Sequence, residues 1–222
     1  MRRRETMRVR RIVDLSVPVG PGTQVYPGDP EPRLTAHATV PRDGFNLLHV
    51  EMGSQTGTHV DAPYHFRDDA PRLHELDLAL FTGTGVIVDV QGLPPRTPIT
   101  WDLIDPAGLG PGVIALIRTG WSRCYGTGAY FDHPYLDADA CKRMLGLGVR
   151  TFCVDAASID ETPSPIGCPV HHLIARAGGV IGENFRNLEL IDFPDPLICC
   201  LPIALDDADG APVRAVAMQL EA

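Results

Sequence analysis

The sequence predicts a mixed α/β domain, rich in strands with a few helices set irregularly among them, rather than a regular doubly wound sheet. Three observations predict it. Runs of β-branched and apolar residues recur between Gly, Pro and Asp. Only two segments carry clear helix start and stop signals. Strands and helices do not alternate. The 22 glycines and 21 prolines are scattered over all 222 residues, which favours many short connections inside one domain. The expected bounds are a basic, disordered extension over residues 1–10 and a single domain over 11–222.

Strands are expected at Arg11–Val19, Asn46–Ser54, Gly85–Val90, Gly112–Thr119, Thr151–Ala156, Val180–Glu183, Leu197–Ala204 and Val213–Gln219. Asp137 is placed to N-cap a helix through ADACKRML that stops near Gly146 or Gly148. Pro169 suits the first turn of a second helix, PVHHLIARA, which ends before Gly178 and Gly179. Shorter helical pieces are expected around WDLID, capped by Thr100, and in LHELDLALF.

Composition narrows the function classes. A hydrophobic fraction of 44% and a charged fraction of 21% are ordinary for a soluble globular protein. The formal net charge of −9 argues against a nucleic-acid partner, which calls for a basic stripe, and against an anionic membrane surface. No apolar run approaches the roughly 18 residues of a membrane helix. The basic MRRRETMRVRR has no apolar segment behind it, so it does not read as a secretory signal. The six cysteines form no C-x-x-C pair and are expected to be reduced thiols in the cytosol. Cys153, Cys199 and Cys200 fall in apolar runs, where cysteine acts as a small hydrophobe, whereas Cys168 lies nearer the candidate site.

The chemistry concentrates in two clusters. The first is Ser54–Phe66, SQTGTHVDAPYHF. If it is extended as far as Pro63, side chains alternate, and Gln55, Gly57, His59 and Asp61 share one face. A His and an Asp two apart on one face can hold one metal, and Gly57 would leave room there for metal, water or substrate. Alone, the pair fits a half-buried strand whose His and Asp merely hydrogen-bond each other. The second cluster is Asp155, Ser158 and Asp160, then His171 and His172, then Glu183 and Asn184. His171 falls in the first turn of a helix and Glu183 at the end of the next strand. The turn between them can bring the two side chains together, the usual build of a catalytic metal site.

On these residues the chain resembles the cyclase/kynurenine formamidase family of bacterial metal-dependent hydrolases, which includes isatin hydrolases. The resemblance starts at Asp14-Leu-Ser16 and Val25-Tyr-Pro-Gly-Asp29 and continues through GTHVDAPYHF, Arg118-Thr-Gly-Trp121 and Val154–Asp160. It closes with Leu201-Pro-Ile and Asp209–Ala215. It implies a swivelling β/β/α-type fold, a homodimer or homotetramer, and one or two divalent ions, with zinc or manganese foremost. It also implies His59 and Asp61 as ligands, His171 and Glu183 as the distal ligands, and His65 as the acid/base. One position departs: Gln55 stands where the motif has its first His. As a ligand, its neutral oxygen would shift preference from Zn²⁺ toward Mn²⁺, Fe²⁺ or Mg²⁺. Otherwise the other four hold a single metal, or the site holds metal only with substrate.

The expected activity is attack of metal-activated water on a small amide, formamide, lactam or ester, with His65 moving the proton. Tyr26, Phe45, Tyr64, Phe66 and Trp121 are candidates for an aromatic pocket, each weighed against a place in the core. Arg186 or Arg67 could meet a substrate carboxylate, with a solvated surface role the better reading of both. Two other functions stay open. One is a metal-assisted cyclase, dehydratase or lyase without net hydrolysis. The other is a non-catalytic member with a degraded site.

Overall fold

The computed structural model describes residues 7–221. Residues 1–6 of the expected extension lie outside that range, and the first strand already begins at Arg8. In chain order the strands are β1 (Arg8–Asp14), β2 (Arg33–Ala38), β3 (Leu47–Glu51), β4 (His59–Asp61), β5 (Thr82–Asp89), β6 (Pro98–Ile99) and β7 (Val113–Arg118). They continue with β8 (Tyr135–Leu136), β9 (Thr151–Val154), β10 (Val180–Glu183), β11 (Leu197–Cys199), β12 (Gly210–Pro212) and β13 (Val216–Glu221). The α-helices are α1 (Val40–Asp43), α2 (Ala138–Gly146) and α3 (Pro169–Arg176).

Nine strands form one sheet in the order β1-β13-β11-β5-β7-β9-β10-β4-β12. The centre, β5-β7-β9-β10, is parallel, and the strands on both flanks are antiparallel. Both faces of β7, β9 and β10 are largely buried, so these strands are mainly apolar rather than alternating, whereas β5 is buried only in part. Ala115 and Ile117 of β7 face one core with Phe152 of β9, while Ile114 and Leu116 face the other with Cys153. The first core is covered by α2 and α3 through Met144, Val170 and Ile174.

The two main helices follow their end signals. The Asp137 carboxylate accepts the N–H groups of Asp139 and Ala140 at the start of α2. Helix α3 starts at Pro169 and is followed by Gly178 at φ +69°. The pieces around WDLID and LHELDLALF wind only as 3-10 turns, at Trp101–Leu103, Leu73–Glu75 and Leu78–Phe81. Strand β12 was not expected. Its Gly210 packs so close to β4 that an added Cβ would meet the Val60 carbonyl oxygen at 2.6 Å.

Strands β2 and β3 form a separate antiparallel hairpin. Most of its side chains face solvent, including Leu47, Leu48 and Val50, with Phe45 exposed beside it, while Ala38 is buried. No helix among the described residues is long and apolar enough to cross a membrane.

Candidate metal centre

Register brings the two clusters together. β4 and β10 run antiparallel with His59 opposite Glu183 and Asp61 opposite Ile181. Glu183 ends a parallel strand, and the carboxyl ends of such strands are where ligands bind in open α/β sheets. Helix α3 places His171 over the same point. His59 Nε2 lies 3.5 Å from Asp61 Oδ1 and 3.5 Å from Glu183 Oε2. His171 Nε2 lies 3.6 Å from Asp61 Oδ2 and 3.3 Å from Glu183 Oε1. Donors held about 2.0–2.1 Å from a tetrahedral ion lie about 3.3 Å from one another, so these separations fit a shared cation.

The far nitrogens of both rings are tied back, which leaves each Nε2 facing the centre. His59 Nδ1–H donates to the Gly57 carbonyl at 2.8 Å, and His171 Nδ1–H donates to Asp160 at 2.7 Å. Such outer partners fix the tautomer and aim of metal-binding histidines. Asp160 also accepts the N–H groups of Val170 and His171, at 3.0 and 2.9 Å. It thereby caps α3, whose N-cap residue Cys168 makes no side-chain cap.

Charge agrees with geometry. All four residues are at most 5% exposed, and both Asp61 carboxylate oxygens are buried without a hydrogen-bond partner. That cost is offset when the oxygens face a cation. Burial pulls the His59 imidazole down, but the Glu183 hydrogen bond and the charges of Asp61 and Glu183 outweigh it, pushing it up to about 9. Burial opposes protonation of His171 too, and the hydrogen bond to Asp160 with the nearby carboxylates of Asp61 and Glu183 carries it well above the usual range. Burial raises Glu183, yet hydrogen bonds from His171 and His59 hold it below the carboxylate range. The quartet thus attracts positive charge to its middle. A dication would supply that charge and leave both imidazoles neutral.

The sequence places Gln55 and Gly57 on the ligand face of a strand, but the strand begins only at His59. Gly57 lies in the preceding turn at φ +71°, where an added Cβ would meet Val19 Cγ2 at 2.9 Å. Its contribution is its carbonyl, which accepts from His59 and, at 3.0 Å, from Asn184. Gln55 still reaches the site. Its Nε2 donates to Asp209 at 2.8 Å, and its Oε1 is buried without a partner. His65 stands at the rim with its Nδ1–H on the same Asp209 oxygen at 2.8 Å. Burial pulls His65 down, and the Asp209 hydrogen bond more than offsets it, so the ring is raised. Ser54 Oγ holds the other Asp209 oxygen at 2.7 Å.

Gln55, His59, His65, His171 and Glu183 floor and edge a cleft of about 260 Å³. Tyr26 and Phe66 line it as expected, with Tyr130 and Phe131. Phe66 lies against His171, ring centroids 4.4 Å apart. Three expected pocket residues do not line it. Trp121 is buried in the core, its indole N–H on the Ala129 carbonyl, and Tyr64 turns away beneath the Arg72 guanidinium. Phe45 is exposed on the hairpin side. Arg67 pairs with Asp69, and Arg186 lines a different depression with Gln91 and Arg123. Asp155 is structural: it accepts the N–H of Thr119 and Gly120 after β7. No local pattern marks a role for Asp29, which lines the cleft, or for Asp209, and none beyond cluster membership for Asp160. All three lie in segments that carry the family resemblance, which was the signal available.

Fold and centre together define the class as a metal-dependent hydrolase, with buried His, Asp and Glu groups able to hold a divalent ion. The chain belongs to the Cyclase family, whose model matches residues 13–161. It is 30% identical over 213 residues to a kynurenine formamidase of Bacillus cereus, covering 95% of this chain and 98% of that protein. Its fold matches an isatin hydrolase crystallised with the product analogue thioisatinate, at a TM-score of 0.85 and 20% identity over 95% of this chain and 92% of that one. It also matches a predicted metal-dependent hydrolase from Bacillus stearothermophilus, at 0.74 and 24% identity over 96% and 98%.

Proposed function

We propose that the protein hydrolyses the carbon–nitrogen bond of a small aromatic formamide or amide. The observation that carries this reading is the pair of buried, unpartnered Asp61 oxygens facing two ring-locked histidines at the floor of an aromatic cleft. His59, Asp61, His171 and Glu183 would hold zinc or manganese, with the Gln55 oxygen as a further donor. When bound, such an ion supplies Lewis acidity, acidifying water and polarising a carbonyl.

The residues provide the rest. Tyr26, Phe66, Tyr130 and Phe131 hold an aryl group flat and shed water from around it. Asp209 keeps the proton on His65 Nδ1, so Nε2 is the free base. Water oxygen bonds to the carbonyl carbon and the carbon–nitrogen bond breaks. One water proton passes through His65 Nε2 to the leaving nitrogen, giving an amine and a carboxylic acid.

The test is turnover of N-formylkynurenine, formanilide and isatin by metal-loaded and chelated protein, with products weighed. Metal-dependent gain of one water supports the reading. A product of unchanged mass points to cyclisation instead, and no turnover after reloading rejects it. The same reading takes the protein as a cytosolic enzyme with free thiols, and as a homo-oligomer joined through its exposed hairpin, which sedimentation of the purified protein tests.

A further inference from the structure

The cleft has a sign. Among the described residues none of its lining side chains is Lys or Arg. Nearby guanidinium groups are engaged elsewhere: Arg67 on Asp69, and Arg72 on Asp207 and the Tyr64 ring. One further carboxylate lines the cleft, that of Asp29, which is exposed to solvent.

A tight turn puts it there. Asp29 N–H donates to the Tyr26 carbonyl at 3.0 Å, with Pro27 and Gly28 between them and Gly28 at φ +104°. Proline then glycine at the two central positions is the pattern of a type II turn. The turn presents Tyr26 and Asp29 to the cleft together. No hydrogen bond or ion pair among the described residues uses the Asp29 carboxylate, so it is free to meet substrate. Desolvation raises the Asp29 pKa, with Asp209 and Glu183 adding to the rise and His59 and His65 opposing it. With a dication neutralised by Asp61 and Glu183, and Asp209 engaged by His65, Asp29 is the carboxylate left uncompensated. A cleft of one sign concentrates ligands of the other.

We infer that Asp29 selects substrate charge: the cleft favours aromatic amides that are neutral or carry an ammonium near the ring, and disfavours those carrying a carboxylate there. This rests on the proposed hydrolysis, and the substrates are chosen to separate the two. Formanilide, 4-formamidobenzylamine and 4-formamidobenzoate share one reacting group and differ in charge. In metal-loaded protein the amine should exceed the benzoate in kcat/KM by about a hundredfold, and Asp29→Asn should cut that ratio about tenfold. Asp29→Lys should invert the preference. A ratio near one, or one that Asp29→Asn leaves alone, overturns the inference while formanilide turnover leaves the reaction standing. If no formamide is cleaved, calorimetric binding of 4-aminobenzylamine and 4-aminobenzoate still decides. The amine should bind tighter in the wild type and lose its lead in Asp29→Asn, and equal binding overturns the inference.

Discussion

His59 and His65 lie on one short stretch of chain, yet their side chains are 4% and 30% exposed. His59 belongs to a quartet sealed from water, with one ring nitrogen tied to the Gly57 carbonyl and the other aimed at two carboxylates. His65 belongs to a half-exposed set with Asp209, Gln55 and Ser54. The first arrangement suits holding a charge that never leaves. The second suits a proton that must arrive and depart, because Nδ1 is anchored while Nε2 is open to cleft and solvent. Holding and turnover are thus assigned to different residues, and variants should separate them.

The largest effect is expected in the quartet. Asp61→Ala or His59→Ala should leave under about a tenth of a metal per chain after dialysis and abolish turnover, read by elemental analysis. At the rim, His65→Ala should keep its full metal content while kcat falls about 10²- to 10⁴-fold. If that variant loses its metal, the division between the two sets breaks. Asp160→Asn keeps an acceptor for the α3 N–H groups but weakens the hold on His171. Its metal affinity should drop about 10- to 100-fold, read by competition with a chelating dye.

Asp209→Asn sharpens the rim. Asp209 raises the His65 pKa, so activity that needs the neutral ring falls as pH drops through that raised value. Without the carboxylate the acid limb of the kcat profile should move to lower pH, and kcat should fall less than in His65→Ala. The smallest effect is expected for Gln55→His, which restores an imidazole beside the quartet. Zinc should then bind several-fold more tightly relative to manganese, measured by the same competition.

How much of this was legible in the sequence follows from how local each signal is. Helices α2 and α3 announced themselves through Asp137 and Pro169, whose effects act within one turn. The four quartet residues were visible because two short patterns each placed donors on a face. Asp160 and Asp209 act on residues reached only through the fold: a carboxylate gives no local sign of which helix end or imidazole it will meet. Aromatic identity does not reveal direction, so it cannot separate Tyr26 and Phe66, which line the cleft, from Phe45, Tyr64 and Trp121, which do not. Strand β12 escaped because Asp209-Gly-Ala-Pro looks like a turn, and only its closeness to Val60 makes Gly210 a strand residue.

The peptide carbonyl of Gly57 gears two parts of the molecule to one another. It accepts from the His59 ring and from the Asn184 amide, and Asn184 in turn accepts the Tyr130 hydroxyl at 2.9 Å. Tilting that single peptide plane would swing the His59 imidazole and the Tyr130 wall of the cleft in concert. On the proposed ligand set, ion affinity and the shape presented to the substrate ring would then be tied to one carbonyl.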